Sequence, residues 1–119
     1  MAVDLDRLQL IPFEGGLAFQ EFDTVLDGTP FTIRQRWNTR DAAWIMDLLD
    51  VNGNPIFVGA KIVLGVALGR RVTDPRLPGF FLAVDLAAKT PNEERDATFD
   101  DIGTRVAVYF YPFDAWFGP

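Results

Sequence analysis

The sequence predicts an all-β fold, a small antiparallel β-barrel or β-sandwich of six to seven strands joined by hairpins. Apolar residues recur at every second position in several short stretches, which is the period of a strand with one buried face. Turn sequences rich in Gly, Asn and Asp separate these stretches, and no ten-residue stretch shows a convincing helical period. Both a barrel and a sandwich fit this pattern.

The first half of the chain supplies most of the predicted strands. "LQLIPF" predicts an edge strand that Pro12 ends, and residues 19–27, 31–37, 43–50 and 56–64 predict four more. The predicted inner faces are Phe22, Thr24 and Leu26; Phe31, Ile33 and Trp37, with Gln35 as the one polar member; Trp44, Met46 and Leu48; and Ile56, Val58, Ala60, Ile62 and Leu64.

Two turn sequences join these strands. "DGTP" contains Asp27 and Gly28, and "DVNGNP" contains Asn52 and Gly53. Asp-Gly and Asn-Gly pairs supply the positive φ angles that a tight hairpin requires. Neighbouring strands in this half are therefore predicted to pair antiparallel.

The second half supplies two further strands and two long connections. "GFFLAVDLA" carries the alternating apolar set Phe80, Leu82, Val84 and Leu86, and "TRVAVYFYP" carries Val106, Val108 and Phe110. Residues 70–79 hold two prolines and scattered charge, so they predict a connection. Residues 88–103 predict an acidic loop with a short helical turn opened by Pro91 and Asn92.

The stretch "RQRWNTRDAAW" places two tryptophans around a polar turn. As a hairpin, it would let Trp37 and Trp44 face each other across the strand pair, while Asn38 and Asp41 bond to nearby groups of the turn. The alternative is a carbohydrate-binding site in which Trp37, Asn38, Arg40 and Trp44 stack on and bond to a sugar. A binding platform needs at least one exposed indole, whereas a structural hairpin buries both.

The chain contains neither Cys nor His. This excludes disulfides, thiolate nucleophiles, Ser-His-Asp triads and imidazole-based zinc sites. A wall-degrading enzyme using two carboxyl groups would need them to face each other across one cleft, and the spacing of the acidic residues shows no such pair. We therefore expect no catalytic residue, cofactor site or metal site.

Length and composition predict a single domain over residues 1–119, with an aromatic C-terminal tail over residues 112–119. Phe113, Trp116 and Phe117 follow Pro112 and lie beyond the last predicted strand. Such rings either fold back over one end of the domain or anchor in a pocket of a partner. We assign them as candidate partner-binding residues.

The net charge of −6 is unevenly distributed, because residues 28–90 are basic while both ends of the chain are acidic. Arg34, Arg36, Arg70 and Arg71 are candidate residues for docking on an acidic neighbour, and an ordinary solvated surface is the alternative. The overall sign argues against nucleic acid as the main partner. No apolar run is long enough for a membrane helix, so we expect a soluble chain made in the host cytoplasm.

The stretch from Leu26 to Gly65 resembles a family of small phage tail proteins, the plug-type baseplate components of contractile-tailed phages such as cyanophages. The shared order is a strand ending in Trp-Asn, a Trp that opens the next strand, the "DVNGNPI" hairpin and a Gly-x-Lys strand. "RLPGFFLAVDL" and "DDIGTRVAVYFYP" are similar to the second half of the family.

The resemblance implies a structural role in the virion. A protein of this family would sit at the centre of the tail baseplate, contact the hub and the tube end or spike, and have no enzymatic activity. Self-association in a ring about the tail axis is a further possibility that this role leaves open.

Overall fold

A computed structural model describes residues 8–69 and 74–113. Seven strands form two antiparallel sheets: β1 Gln9–Ile11, β2 Phe19–Leu26, β3 Thr29–Asn38, β4 Ala43–Asp50, β5 Pro55–Lys61, β6 Gly79–Asp85 and β7 Val106–Pro112. Sheet A has the order β1-β7-β6, and sheet B has the order β2-β3-β4-β5. The predicted all-β fold and strand number are confirmed.

The inner faces of the two sheets share one hydrophobic core. Sheet A contributes Ile11, Phe81, Ala83, Val106, Val108 and Phe110, and sheet B contributes Leu26, Phe31, Ile33, Trp44, Met46 and Leu48. Phe13, Ala97 and Ile102, which lie outside the strands, also belong to this core. Two packed antiparallel sheets define a sandwich.

The two sheets join differently at their two flanks. On one flank, Leu64 and Leu68 form bridges with Ala83 and Phe81 of β6. On the other flank, the Gln9 side-chain amide donates to the main-chain oxygen of Val25, 2.7 Å away. Within the described residues this flank has no ladder between β1 and β2, so the strands do not close into a barrel.

Local sequence explains the two hairpins of sheet B. Asp27 and Gly28 have φ angles of 50° and 86° between β2 and β3, where Leu26 pairs with Thr29. Between β4 and β5, the Asp50 carboxylate accepts hydrogen bonds from the main-chain N–H groups of Asn52 and Asn54. Gly53 provides the positive φ of that turn, 83°.

Gln35 is the polar residue that the alternation predicts on the inner face, and it is fully buried. Its side-chain oxygen accepts from the Glu14 main-chain N–H, 3.3 Å away, and its amide donates to the Glu14 carbonyl oxygen. Both polar groups of the side chain are thus satisfied, so Gln35 holds the segment before β2 against β3.

The predicted inner faces of β5 and β6 are wrong in part. Val58 is 62% exposed because a register shift between Met46 and Leu48 of β4, with Gly59 at a φ of 77°, breaks the alternation of β5. In β6, the residues that enter the core are Phe81 and Ala83, and the set Phe80, Leu82, Val84 lies on the outer face of sheet A. Leu86 is 57% exposed beyond the strand.

Candidate interaction surfaces

The tryptophan hairpin is an aromatic cluster that packs inside the fold. Trp37 pairs with Trp44 across β3 and β4, and their ring centroids lie 5.3 Å apart at an interplanar angle of 66°. The Phe99 ring stacks on Trp44 at an interplanar angle of 7°, with the centroids 5.8 Å apart. Phe99 also contacts Trp37 edge-on, which places one ring of the acidic loop against both indoles.

The turn that joins the two tryptophans is closed by its own side chains. The Asn38 side-chain oxygen accepts from the Asp41 main-chain N–H at 3.2 Å, and the Asn38 amide donates to the Asp41 carboxylate at 3.3 Å. Ala42 adopts a φ of 49° in this turn, and Arg40 is exposed. Asn38 and Asp41 are therefore committed to the turn.

Burial of the indoles speaks against a sugar-stacking platform. Trp44 is 1% exposed, and its indole N–H donates to the Thr98 carbonyl oxygen 3.0 Å away. Trp37 is half-buried and packs against the core cluster. Since Trp44 is buried and Trp37 is only partly exposed, the geometry favours the structural hairpin.

Arg34 and Arg36 lie on the outer face of sheet B and form ion pairs within the chain. Arg34 Nε lies 2.7 Å from Glu21 Oε1, and Arg36 Nη2 lies 3.2 Å from Asp47 Oδ1. Both arginine side chains are 42% exposed, so they remain accessible to a neighbour. Arg70 and Arg71 lie outside the described residues.

A buried ion-pair network organises the acidic loop, and sequence analysis missed it. Asp85 is buried and accepts hydrogen bonds from the main-chain N–H groups of Ala87, Ala88 and Arg95 and from Arg105. Arg105 also donates to the Asp101 carboxylate. Arg95 and Arg105 lie 10 and 20 positions from Asp85 in the sequence, so no local motif predicts these two contacts.

The electrostatics of this network follow from its contacts. Burial alone raises the pKa of Asp85, but hydrogen bonds from Arg95 and Ala87 and the charge of Arg105 outweigh it and hold the pKa below its usual value. At Asp101, burial raises the pKa, but hydrogen bonds from Arg105 and Thr98 outweigh it. The pKa of Asp101 is therefore also lowered. The hydrogen bond to Asp101 raises the pKa of Arg105. The network is therefore charged at neutral pH.

A second ion-pair group ties the connection before β6 to the "DVNGNP" hairpin. Arg76 donates to Asp50 at 2.7 Å, to the carboxylate of Asp74 and to the Pro55 carbonyl oxygen. The hydrogen bond from Arg76 lowers the pKa of Asp74 to about 2. Arg76 is thus a structural cation that fastens two loops together.

The aromatic tail enters the described structure only through Phe113. The Phe113 main-chain N–H donates to the Pro78 carbonyl oxygen at 2.9 Å, and its ring centroid lies 6.1 Å from that of Phe80. Phe113 therefore folds back on its own chain. Trp116 and Phe117 lie outside the described residues.

Residues 8–69 and 74–113 hold no group of three or more Asp or Glu side chains placed to bind a metal ion. No helix among them has the length and apolar character needed to cross a bilayer.

Comparison with known proteins gives one family match. Residues 8–113 match the model of the family described as cyanophage baseplate Pam3 plug gp18. The match includes both sheets, the tryptophan hairpin and the two loop-fastening networks. No curated protein matches the chain.

Proposed function

Because the chain belongs to the cyanophage baseplate plug family, we propose that it acts as a plug at the centre of a phage tail baseplate. The family match over residues 8–113 carries this proposal and places the protein in the tail of the virion. In the proposed role the protein has no catalytic step and works through contacts with the hub and with the tube end or spike.

The described structure supports an assembly role because contacts fasten its long loops to the sandwich. Side chains of the two long loops are tied to the sandwich by the Trp44–Phe99 stack and by Arg76 and Arg105. The buried carboxylates of Asp47 and Asp85 accept hydrogen bonds from the chain itself, from Gly59 and Arg95 among others. Acidic groups held in this way stabilise the fold. A pre-organised surface suits repeated contacts between subunits.

Docking through the basic middle of the chain remains a prediction. Arg34 and Arg36 are half-exposed, although each already pairs with a carboxylate, so their net attraction for an acidic neighbour is reduced. Arg70 and Arg71 are the other two predicted docking residues. Co-purification of the double variant Arg70→Glu, Arg71→Glu with the hub protein tests them. Undiminished co-purification would remove electrostatic docking from the proposal.

Anchoring of the tail rings in a partner pocket is also a prediction. Phe113 already packs beside Phe80, so Trp116 and Phe117 are the rings that a partner would receive. The double variant Trp116→Ala, Phe117→Ala is expected to fold and to assemble poorly into infectious particles. Assembly at the level of the unchanged protein would contradict the anchor.

Cross-linking and mass spectrometry of purified particles test the proposed function as a whole. The chain has two lysines, Lys61 and Lys89, so a linker that reacts with amines alone would sample few positions. A linker that also reacts with carboxyl groups can use the 17 acidic residues and gives better coverage. Stoichiometric cross-links to the hub, tube end or spike are expected. Absence of the protein from particles would contradict the proposal, and the same particles probed for the major tail-tube protein provide the control.

A further inference from the structure

Strand β2 forms one edge of sheet B, and half of its main-chain groups point away from the sheet. Main-chain groups of an antiparallel strand point alternately toward the paired strand and away from it. The Ala18 carbonyl oxygen, just before β2, accepts from the Trp37 main-chain N–H of β3, whereas the Val25 carbonyl oxygen accepts from the Gln9 side chain on the opposite side. The outward groups therefore belong to the odd-numbered residues of the strand, Phe19, Glu21, Asp23 and Val25.

Most of these outward groups are open. Gln9 occupies the Val25 carbonyl oxygen at 2.7 Å, which marks one end of the open stretch. Within residues 8–69 and 74–113, the main-chain N–H and C=O groups of Phe19, Glu21 and Asp23 have no partner on this side. An open row of strand groups can accept one more strand from another molecule. We call residues 19–23 the open β2 edge.

The other edge strands carry features that discourage such pairing. β1 has three residues, and β6 is bridged by Leu64 and Leu68. β5 begins at Pro55, is broken by a register shift at Gly59 and ends at Lys61. Proline, lysine, bulges, short strands and covering segments are the usual means of blocking an edge. β2 contains neither Pro nor Lys, and its eight positions pair with β3 in one unbroken register, so its edge is available for pairing.

The side chains of the open β2 edge define what a partner strand must carry. Phe19 is 58% exposed, and Glu21 and Asp23, also exposed, follow it on the outer face of sheet B. Glu21 pairs with Arg34, but Asp23 accepts from the neutral hydroxyl of Thr32, so the negative charge of Asp23 is not offset by that contact. The edge thus presents one apolar ring and two carboxylates at alternate positions.

Charge argues against a second copy of the chain as the occupant. A symmetric antiparallel pair of β2 strands centred on Phe22 would place Glu21 of each copy opposite Asp23 of the other. Centring the pair on Glu21 or on Asp23 would place that acid opposite its own copy. Like charges directly opposite each other destabilise a strand pair. The same carboxylates favour a partner whose facing positions are basic.

We infer that the open β2 edge binds an extended segment of another protein as a fifth, antiparallel strand of sheet B. The segment carries Lys or Arg opposite Asp23 and Glu21 and an apolar residue opposite Phe19. Main-chain hydrogen bonds supply the attachment, and the two charge pairs select the partner and fix its register. The inference goes beyond the proposed plug role, because it names a contact surface and the chemistry of the segment that fits it.

A synthetic peptide tests the charge requirement. The peptide Thr-Lys-Val-Lys-Thr-Val-Thr, blocked at both ends and labelled with a fluorophore, places its two Lys residues and its second Val opposite Asp23, Glu21 and Phe19 in turn. The matched control replaces both Lys residues with Glu. Fluorescence anisotropy with the full chain is expected to show saturable binding of the basic peptide, weakened by added salt, and no binding of the acidic one.

N-methylation of the peptide tests strand pairing without altering the protein. The N–H of the second Lys would bond to β2, so methylating it is expected to abolish binding. The N–H of the Val between the two Lys residues would point away from β2, so methylating that one is expected to leave binding intact. Equal effects of the two methyl groups would overturn strand addition.

Asp23→Lys tests the position on the protein. This variant is expected to lose affinity for the basic peptide several-fold and to gain affinity for the acidic one. Glu94→Lys makes the same change of charge at an exposed position of the acidic loop and serves as the control. Equal losses in the two variants would show that net charge alone attracts the peptide and would overturn the inference.

Two further outcomes would also overturn the inference. One is the absence of saturable binding of the basic peptide. The other is a dimer of the unchanged chain, seen by sedimentation, that Asp23→Lys alters and Glu94→Lys does not, since a second copy would then occupy the edge. These measurements use the isolated protein, so their failure would leave the family match and the proposed plug role intact. Absence of the protein from purified particles would contradict that role alone.

Discussion

Trp44 and Thr98 are joined by a hydrogen bond from the indole N–H to the main-chain oxygen, 3.0 Å long, across 54 positions of sequence. The Phe99 ring, next in the chain, stacks on the same indole. One buried side chain of β4 thereby fixes the end of the acidic loop by a polar contact and an aromatic contact. This fastening explains why a tryptophan lies in this hairpin.

Trp44→Phe is expected to lower the free energy of unfolding by about 1–3 kcal/mol, since it leaves the Thr98 carbonyl oxygen without its donor. Trp37→Phe is the matched control, because Trp37 is half-buried and contacts the same Phe99 ring. Urea unfolding followed by far-UV circular dichroism measures both. Equal losses in the two variants would contradict a special role for the Trp44 hydrogen bond.

Arg105→Gln is expected to make stability less sensitive to acid. The pKa values of Asp85 and Asp101 are lowered in the folded state, so their contribution to stability is present above the unfolded value of about 4 and is lost as pH falls through the folded values. Removal of the Arg105 charge brings the folded pKa values closer to the unfolded ones. The variant is therefore less stable at neutral pH and loses less on acidification.

Thermal melts between about pH 7 and pH 3 measure this difference. Arg95→Gln is the control, because Arg95 takes part in the network through its main-chain N–H and carbonyl groups. If the melting temperatures of the unchanged protein and of Arg105→Gln fell by the same amount across this pH range, the prediction would be contradicted.

Gly79→Ala is expected to disrupt the pairing of β6 with β7. A Cβ atom at this position would lie 2.0 Å from the Tyr111 carbonyl oxygen and 2.6 Å from the Phe110 ring. Overpacking of this kind costs about 1–3 kcal/mol or more. Gly28→Asn is the control, because Gly28 has nothing within 4 Å of its Cβ position and Asn tolerates its φ of 86°. Similar melting temperatures for the two variants would sink the packing argument.

Gln35→Leu is expected to destabilise the protein although it places an apolar residue in the core. The Glu14 main-chain N–H and carbonyl groups both lose their partner, at a cost of about 1–3 kcal/mol for each group that stays buried. Gln35→Glu keeps the acceptor but loses the donor and buries a carboxyl group, so it is also expected to destabilise the protein near neutral pH. Chemical denaturation in which Gln35→Leu was as stable as the unchanged protein would show that the Glu14 groups reach water.

Sequence predicted the hairpins of sheet B well because local signals determine them. The alternation in β2 and β3 matches the observed pairing of Phe22 with Ile33, and the Asn52-Gly53 pair occupies the predicted turn. Such features depend on neighbouring residues alone, so a pattern of period two and a turn sequence suffice.

The remaining features depend on contacts between distant residues. In β6, nearly every position is apolar, so alternation could not distinguish Phe80 from Phe81 as the core residue. The bulge at Gly59 reverses the face of β5 without a clear local signal. Neither the pairing of Asp85 with Arg105 nor the ion pairs of Arg34 can be assigned until the strands are placed side by side.

The antiparallel pairing of β1 with β7 has a mechanical consequence. Gln9, at the start of β1, lies opposite Phe110, near the end of β7. The chain therefore enters β1 and leaves β7 at the same end of sheet A. Force applied through both ends would open the three pairs of this ladder one after another, as a zipper opens, instead of loading them together in shear. Pulling in optical tweezers should therefore detach β1 at low force, while a load on β2 and β3, applied along their eight paired positions, should meet greater resistance.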